Sequence, residues 1–349
     1  MKSKQLIFTA EGKYEIRTVE LPGLKDNQAL VKVEACGLCT WERDIFCGRE
    51  KATFPFVGGH EIAGTIVDTA KEIPRNIKIG DCVAVAKWKR CNQCYECRKG
   101  FDNQCSEAVR PVAEGVAWGP AGFSEYLIAE AYEIFPLHNI KELHYGALVE
   151  PVACVTRSVK RAGANAGDTA VIVGAGLMGL LFLKVLKFRG VKVIVVQRSR
   201  YRRELAKVMG ADSVINPLEE EWIEKVRDFT GGRGGDAVFY TAGGSEVLNQ
   251  CLKATAIGGK ILIYAPIHSD VPALEADEIH YRELEVIGSV RHDKESFRHA
   301  AQIISDNLIH LGDLNLEFGK FENFGDEIEK ARNNREIHRI LLQWDSNFP

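Results

Sequence analysis

Cys91, Cys94, Cys97 and Cys105 stand in the pattern C-x2-C-x2-C-x7-C within KRCNQCYECRKGFDNQC. The short gaps let neighbouring sulfurs converge, and the longer loop carries the fourth thiolate to the remaining tetrahedral corner. Four matched ligands leave no open coordination position, so zinc held here would staple a loop and would not itself react. Disulfides are the poorer reading, because consecutive C-x2-C steps flanked by Lys and Arg favour thiolate and metal over cystine. A zinc ribbon for nucleic acid uses similar spacing, but normally as two knuckles well separated along the chain.

A second pattern runs Val171-Ile172-Val173-Gly174-Ala175-Gly176-Leu177-Met178-Gly179, a G-x-G-x-x-G. It follows an apolar strand-like run, opens a helix and precedes a second strand at 191–196, the context that dinucleotide binding requires. Gly174 permits the tight turn, Gly176 lets a pyrophosphate approach the backbone, and Gly179 allows close helix–strand packing. The free N–H groups at the start of the helix, at Leu177 and Met178, then offer a positive dipole end to phosphate. At the end of the next strand, NAD-selective folds carry Asp or Glu for the ribose hydroxyls. This chain has Gln197 there, followed by Arg198, Ser199 and Arg200, with Arg202 and Arg203 beyond. A missing carboxylate removes repulsion against a 2′-phosphate, and Arg can bind phosphate bidentately. NADP(H) is therefore favoured over NAD(H), against the plainer reading of a solvated basic helix start.

The elements that must position these groups fall into two styles. Residues 4–35 alternate apolar and polar with turns at Gly12, Pro22-Gly23 and Asp26-Asn27, an antiparallel pattern that AGTIVDTA and DCVAVAKW continue. From about residue 153 the pattern changes. A helical stretch at 153–163 leads into TAVIVG, VKVIVVQ, ADSVIN, GDAVFYTA, GKILIYAP and EVIGSV, separated by helical segments at 177–189, 200–209, 219–230 and 246–257. Short apolar strands between helices predict a doubly wound parallel sheet covered on both faces. Amphipathic pieces at 295–309 and 325–334 and the run HRILLQW close the chain. The expected layout is an α/β fold: a largely β domain at 1–152, an inserted Rossmann-type domain at 153–289, and a return of the chain to the first domain over 290–349.

At 349 residues with 46% hydrophobic content, the chain suffices for about two domains with real cores. A net charge of −3, from 45 basic and 48 acidic residues, gives no electrostatic case for nucleic acid or an anionic membrane. The start, MKSKQLIFTAEGKYEI, has too short an apolar run for a signal peptide. The longest uncharged stretch, Thr169 to Leu183, is fifteen residues broken by three glycines, too short to span a bilayer. Ten cysteines without a secretory signal point to a reducing compartment, so the cytoplasm is expected.

EACGLCTWERD carries Cys36 and Cys39, VGGHEIAG carries His60 and Glu61, and GALVEPVACV carries Glu150. With the cysteine loop and the glycine motif, these resemble the zinc-dependent medium-chain dehydrogenase/reductase family, in order and over nearly the whole chain. The most specific marks are Gly59-His60-Glu61-x-x-Gly64, the four-cysteine loop, KIGDCVAV and GPAGFSEYLIA. Glu150 followed by Pro, and GSVR ending in Arg291, look more like the polyol branch typified by sorbitol dehydrogenase. The resemblance implies a GroES-like β domain around the Rossmann insertion, two zincs per chain and a homotetramer or homodimer. It also implies that Cys39 and His60 bind a catalytic zinc, with Glu61 a ligand or an immediate neighbour and Glu150 bound directly or through water. Ser289 and Val290 would join the cofactor contacts, and Arg291 and Trp41 the substrate pocket. The bland reading of Cys36 is a small apolar packing residue, with Cys39 alone on metal.

Such a zinc has an open position and acts as a Lewis acid, letting an alcohol lose its proton near neutral pH before hydride leaves for nicotinamide. Two departures from the family bear on that proton. The relay hydroxyl expected two residues after Cys39 is replaced by Trp41, which cannot relay an alcohol proton. Asp44 takes the place of an assisting histidine. Thr40, Glu42, or water with Glu61 or Glu150 could inherit the task. Thr40 is the expectation taken here, because its hydroxyl adjoins Cys39 while Glu42 would face solvent. Glu150 and Arg291 point to a polyol, sugar or cyclitol substrate. A biosynthetic carbonyl reductase, or a silent nucleotide-binding protein with the structural zinc only, are the alternatives.

Overall fold

Along Gln28–Gly37, Lys32 and Glu34 lie toward water while Val31, Val33 and Ala35 are buried, the period-two signature of a strand with one face on a core. This strand organises the first half of the computed structural model, which describes residues 1–87, 90–108, 117–267 and 274–345. It pairs antiparallel with Glu61–Thr69 and Tyr126–Glu130, and its end pairs with Arg339–Gln343. Among the described residues the sheet has seven strands, in the order Leu316–Lys320, Arg339–Gln343, Gln28–Gly37, Glu61–Thr69, Cys82–Val85, Ile134–Pro136, with Tyr126–Glu130 off that path. Two pairings decide where chemistry can occur. Gly37 stands opposite Glu61, and Leu341 stands opposite Gly37, so the start of one strand and the end of another converge beside Cys39.

Behind this edge lies an aromatic core. Phe8 meets Phe56, Phe123 and Phe324 at ring-centroid distances of 5.9, 6.2 and 5.4 Å. Each fully buried Phe contributes about 1.5–3 kcal/mol, and Trp41 packs against this core.

Met1–Ala153, Asp293–Leu308 and Asn315–Pro349 form one compact unit, and Cys154–His292 with Ile309–Leu314 form a second. The short piece Ile309–Leu314 is not separable from its neighbours by sequence pattern. The second unit is built on a parallel sheet that has six strands among the described residues, in the order Ser213–Ile215, Lys192–Val196, Thr169–Val173, Gly235–Tyr240, Thr255–Ile263, Glu285–Gly288. Apolar runs such as TAVIV are buried at every position, as strands covered on both faces must be.

Boundaries shift where local signals compete. The helix expected to run to 257 ends at Ala254, because Thr255 is fully buried and pairs with Gly235 at the start of the next strand. Thr40–Phe46 is helical, an element the sequence pattern did not disclose. Among the described residues no helix is long and apolar enough to cross a membrane.

Candidate active site and metal centres

Thr40–Phe46 begins one residue after Cys39, and its phase is set by Ile45, which is fully buried. Glu42 lies one turn before Ile45 on the same face and is 0% exposed. Thr40 falls on the outer side and is exposed, where its hydroxyl accepts a hydrogen bond from Arg43 Nη2 at 2.8 Å. This reverses the sequence expectation: Glu42 points into the site and Thr40 away from it. Asp44 pairs with Arg49 on the surface.

Glu42 Oε1 accepts from the backbone N–H of Gly59 at 2.9 Å and lies 2.6 Å from His60 Nδ1. A Cβ on Gly58 would stand 2.9 Å from Glu42 Cγ, and one on Gly59 would meet Phe123 and Gly122, so Gly58 leaves room for this carboxylate and Gly59 for the Phe123 segment. With Nδ1 held by Glu42, the other ring nitrogen is left for a metal or for Cys39. Burial alone would pull the His60 imidazolium down. The charge of Glu42 and hydrogen bonds to Cys39 and Glu42 outweigh it and hold the group well above its ordinary value.

Glu61 is 1% exposed, and burial pushes its carboxyl up to about 7 against the opposing charge of Arg339. Arg339 Nη2 reaches Glu61 Oε1 at 2.9 Å, while Nη1 donates to the Leu38 carbonyl at 3.0 Å. The carboxylate lies where a side chain on Gly37 would begin, so no larger residue fits there. Arg339 was absent from the sequence-derived site. Its one signal was a charged residue opening the otherwise apolar RILL of a strand.

The donor atoms of Cys39, Glu42 and His60 lie within 4.8 Å of one another, as do those of His60, Glu61 and Glu150. His60 belongs to both groups. Glu42 Oε2 and Glu61 Oε2 are buried with no hydrogen-bond partner among the described residues. Orphaned carboxylate oxygens beside a thiol and an imidazole call for a cation, and the mixed S, N and O set suits zinc. Cys36 is fully buried in the core and belongs to neither group. Trp41 stands against this cluster, its ring 5.6 Å from His60 and 5.7 Å from Phe56, both edge-on.

The four loop cysteines bring all their sulfurs within 4.8 Å of one another. Backbone N–H groups of Cys94 and Gln93 point at Cys91 Sγ at 3.2 and 3.4 Å, and that of Cys91 points at Cys105 Sγ at 3.3 Å. The N–H groups of Gln93 and Cys94 pull the Cys91 thiol down to about 6, toward the thiolate that binds metal, while burial pushes the Cys97 thiol up to about 12. The Cys94 and Cys105 sulfurs are 3.9 Å apart, far from a disulfide bond. The cluster fits a closed zinc site.

In the second unit, Gly174 adopts φ +104°, and a Cβ on Gly179 would collide with the Gly174 carbonyl, so both glycines are required by shape. The helix Leu177–Phe188 opens at Gly176 without a side-chain cap, leaving its first N–H groups for an anion. Gln197 Oε1 accepts from Ser199 N at 3.0 Å, and Ser199 Oγ caps the helix Arg200–Val208. Arg203 Nη1 binds the carbonyls of Gln197 and Arg198 at 3.0 and 2.6 Å. Arg203 therefore builds the turn, and Arg198 and Arg200 remain exposed. Ser289 follows the last strand of the sheet, its hydroxyl 3.2 Å from Arg157 Nη1 and 2.9 Å from Ser158 Oγ. Val290 and Arg291 are exposed, and Arg291 has φ +58°.

Residues 25–139 match the alcohol dehydrogenase GroES-like domain, and residues 178–306 match the zinc-binding dehydrogenase domain. The chain is 30% identical over 325 residues to L-threonine 3-dehydrogenase of Pyrococcus abyssi, covering 91% of this chain and 90% of the relative. It is 27% identical to sorbitol dehydrogenase of Bacillus subtilis, covering 95% and 93% respectively. A zinc-binding dehydrogenase structure from Sinorhizobium meliloti, solved with NADP bound, superposes with a TM-score of 0.87 at 27% identity, covering 98% of this chain and 99% of that one.

Proposed function

The chain belongs to the zinc-type medium-chain alcohol dehydrogenase family, in its polyol branch, and from that premise we propose that it moves hydride between NADP(H) and a secondary alcohol or its ketone. The substrate class is a polyol, sugar or cyclitol. The observation that carries this reading is His60 shared between a thiol and three carboxylates, two of them fully buried with an unpartnered oxygen.

When bound, zinc would polarise the substrate oxygen as a Lewis acid and the nicotinamide would exchange the hydride. Cys39 and His60 would hold the metal, and Glu61 or Glu150 would complete the set. Glu42 fixes the tautomer and orientation of His60, while Arg339 balances the charge of Glu61. Ser289 and Val290 would face the nicotinamide and Arg291 the oxygens next to the reacting carbon. No hydroxyl stands at position 41 and Thr40 faces outward, so the alcohol proton passes to a carboxylate of the site. Glu150 is half-buried and so the most open of the three. The test is a panel of polyols, cyclitols and ketones with each cofactor, read at the reduced-nicotinamide band, together with metal content. About two zincs per chain support the enzyme; about one, with no turnover, supports a silent nucleotide-binding protein. We place the enzyme in the cytoplasm as a homo-oligomer, which sedimentation would check.

Thr40→Val should leave kcat and the pH–rate profile within about twofold, since its hydroxyl serves Arg43. Glu42→Gln should cost about 10–100-fold in metal affinity or activity, the usual loss for a partner that orients a histidine ligand. Zinc titration and pH–rate profiles separate the two. A large loss in Thr40→Val would restore it to the proton path.

Cofactor choice has its own test. Gln197→Asp combined with Arg198→Ala and Arg200→Ala should weaken NADPH by about two orders of magnitude and improve NADH. Each charge-assisted hydrogen bond is worth roughly 1.5–3 kcal/mol, and a new carboxylate would repel the 2′-phosphate. Fluorescence titration with both cofactors reads the result; unchanged discrimination would mean that this basic turn only meets solvent.

A further inference from the structure

The glycine turn of the second unit is held from both neighbouring strands. On one side the Gly174 N–H donates to the Val196 carbonyl at 2.9 Å. On the other stands Thr241, the first residue past the strand Gly235–Tyr240, which pairs with Thr169–Val173. Its N–H donates to the Val173 carbonyl at 3.1 Å. Its hydroxyl lies 2.8 Å from that same oxygen and 3.2 Å from the Gly174 carbonyl oxygen. The one hydroxyl hydrogen is shared between these two acceptors. Thr241 is fixed in turn by its predecessor. Tyr240 is fully buried, its hydroxyl donates to the Gly243 carbonyl, and its own carbonyl accepts from the N–H groups of Tyr264 and Ala265 at 3.0 and 3.2 Å.

Thr241 occupies space that a glycine leaves. A Cβ on Gly174 would stand 2.8 Å from Thr241 Oγ1, so the hydroxyl sits close to where a larger residue would begin. The Gly174 carbonyl also abuts Gly179 in the helix Leu177–Phe188. Both contacts place this oxygen on the strand-and-helix side of the turn. In a planar trans peptide the C=O and the following N–H point in opposite directions, so the Ala175 N–H is directed away from Thr241 and Gly179. Gly174 lies at φ +104°, and glycine adopts either sign of φ at little steric cost. The Gly174–Ala175 peptide is therefore the part of the turn most able to rotate. Turned over, it would present a carbonyl oxygen where an N–H stood, and that oxygen would repel the phosphate that an N–H attracts.

We propose that Thr241 is a positioning residue for the nicotinamide cofactor. Its hydroxyl holds the Gly174 carbonyl inward and so keeps the turn in the orientation that offers N–H groups to the pyrophosphate. This rests on the dinucleotide site under the proposed function, but the clamp itself can be tested without nucleotide. Removing the hydroxyl leaves Val173 its bond from the Thr241 N–H and takes from Gly174 its Thr241 partner.

The first arm measures binding and kinetics on the full-length protein. In Thr241→Val the Kd values of NADPH and NADH should rise by the same factor, about tenfold, since the pyrophosphate is common to both and one hydrogen bond with the order it gives is lost. Thr241→Ser, which keeps the hydroxyl, should stay within about twofold of wild type. At saturating nucleotide, kcat and the alcohol KM should remain within about twofold in both variants, as a loss confined to nucleotide binding requires. The second arm is hydrogen exchange on nucleotide-free protein. Amides of residues 174–176 should exchange about tenfold faster in Thr241→Val than in wild type or Thr241→Ser. If Thr241→Val fails to fold, Thr241→Ala, which removes the same hydroxyl with less bulk, decides. Unchanged exchange overturns the clamp. Faster exchange with wild-type Kd values, or a weakened Kd that Thr241→Ser fails to restore, overturns its role in cofactor binding, as does a fall in Tm alone. Wild-type protein that binds neither nucleotide would sink the proposed function, while the exchange arm would still decide the clamp.

Discussion

His60→Ala is expected to lower turnover by about 10³–10⁵-fold while leaving the fold and dinucleotide binding close to wild type. His60 is the one residue common to both donor groups of the proposed catalytic centre, so its removal should empty that centre. Lewis-acid polarisation contributes several kcal/mol, and each 1.4 kcal/mol is tenfold in rate. The fold should survive because the side chain is 17% exposed and packs edge-on against Trp41 rather than inside the aromatic core. Metal content should fall from about two zincs per chain to about one. Cys94→Ser is the contrasting variant. It opens a closed tetrathiolate whose binding energy is part of folding, so it should lower Tm strongly. Equal loss of fold from both changes, or an unchanged zinc count in His60→Ala, would remove His60 from the catalytic assignment.

The contrast between these two sites also explains what was legible in the sequence. The structural site is written into fifteen consecutive residues, Cys91 to Cys105, and its ligand spacing is itself the signal. The glycine turn is equally local: Gly174 and Gly179 are demanded by a positive φ and by a backbone carbonyl a few residues away. Parallel strands in the second unit were readable because burial on both faces forces continuous apolar runs. The catalytic cluster is different. Cys39, His60 and Glu150 could be named from type and family resemblance, but nothing near them in sequence says which way Glu42 points. That depends on the phase of a seven-residue helix, and the phase depends on Ile45 finding the core. The neighbouring Thr40, judged by its position beside Cys39, was assigned inward by the same missing information. Arg339 is harder still. Its partner Glu61 is distant along the chain, and the two meet only through strand pairings that share Gly37.

Arg339→Met should destabilise the metal-free protein by about 3–5 kcal/mol at pH 8.5, the range for breaking a buried ion pair from one side. The deficit should be much smaller at pH 5.5. The reason is Glu61. Burial raises its folded-state value to about 7, and Arg339 is the first group holding that value down; without Arg339 it must climb further. In an unfolded chain the same carboxyl titrates near about 4.3. A group raised on folding gives its full stabilisation below the unfolded value and loses it as pH rises through the folded value. Metal-free wild type should therefore lose stability from about pH 4.5 to about pH 7, and the variant should keep losing it to higher pH. At pH 5.5 Glu61 is protonated in both proteins, leaving mainly the lost bond to the Leu38 carbonyl, about 1 kcal/mol. The raised His60 and the loop cysteines are common to both chains and cancel in the difference. Urea unfolding at the two pH values measures the deficit, and with Glu61→Gln as the common background Arg339→Met should cost the same at both pH values. A deficit that is the same at both pH values would show that Arg339 acts through Leu38 and packing, with its charge on Glu61 immaterial.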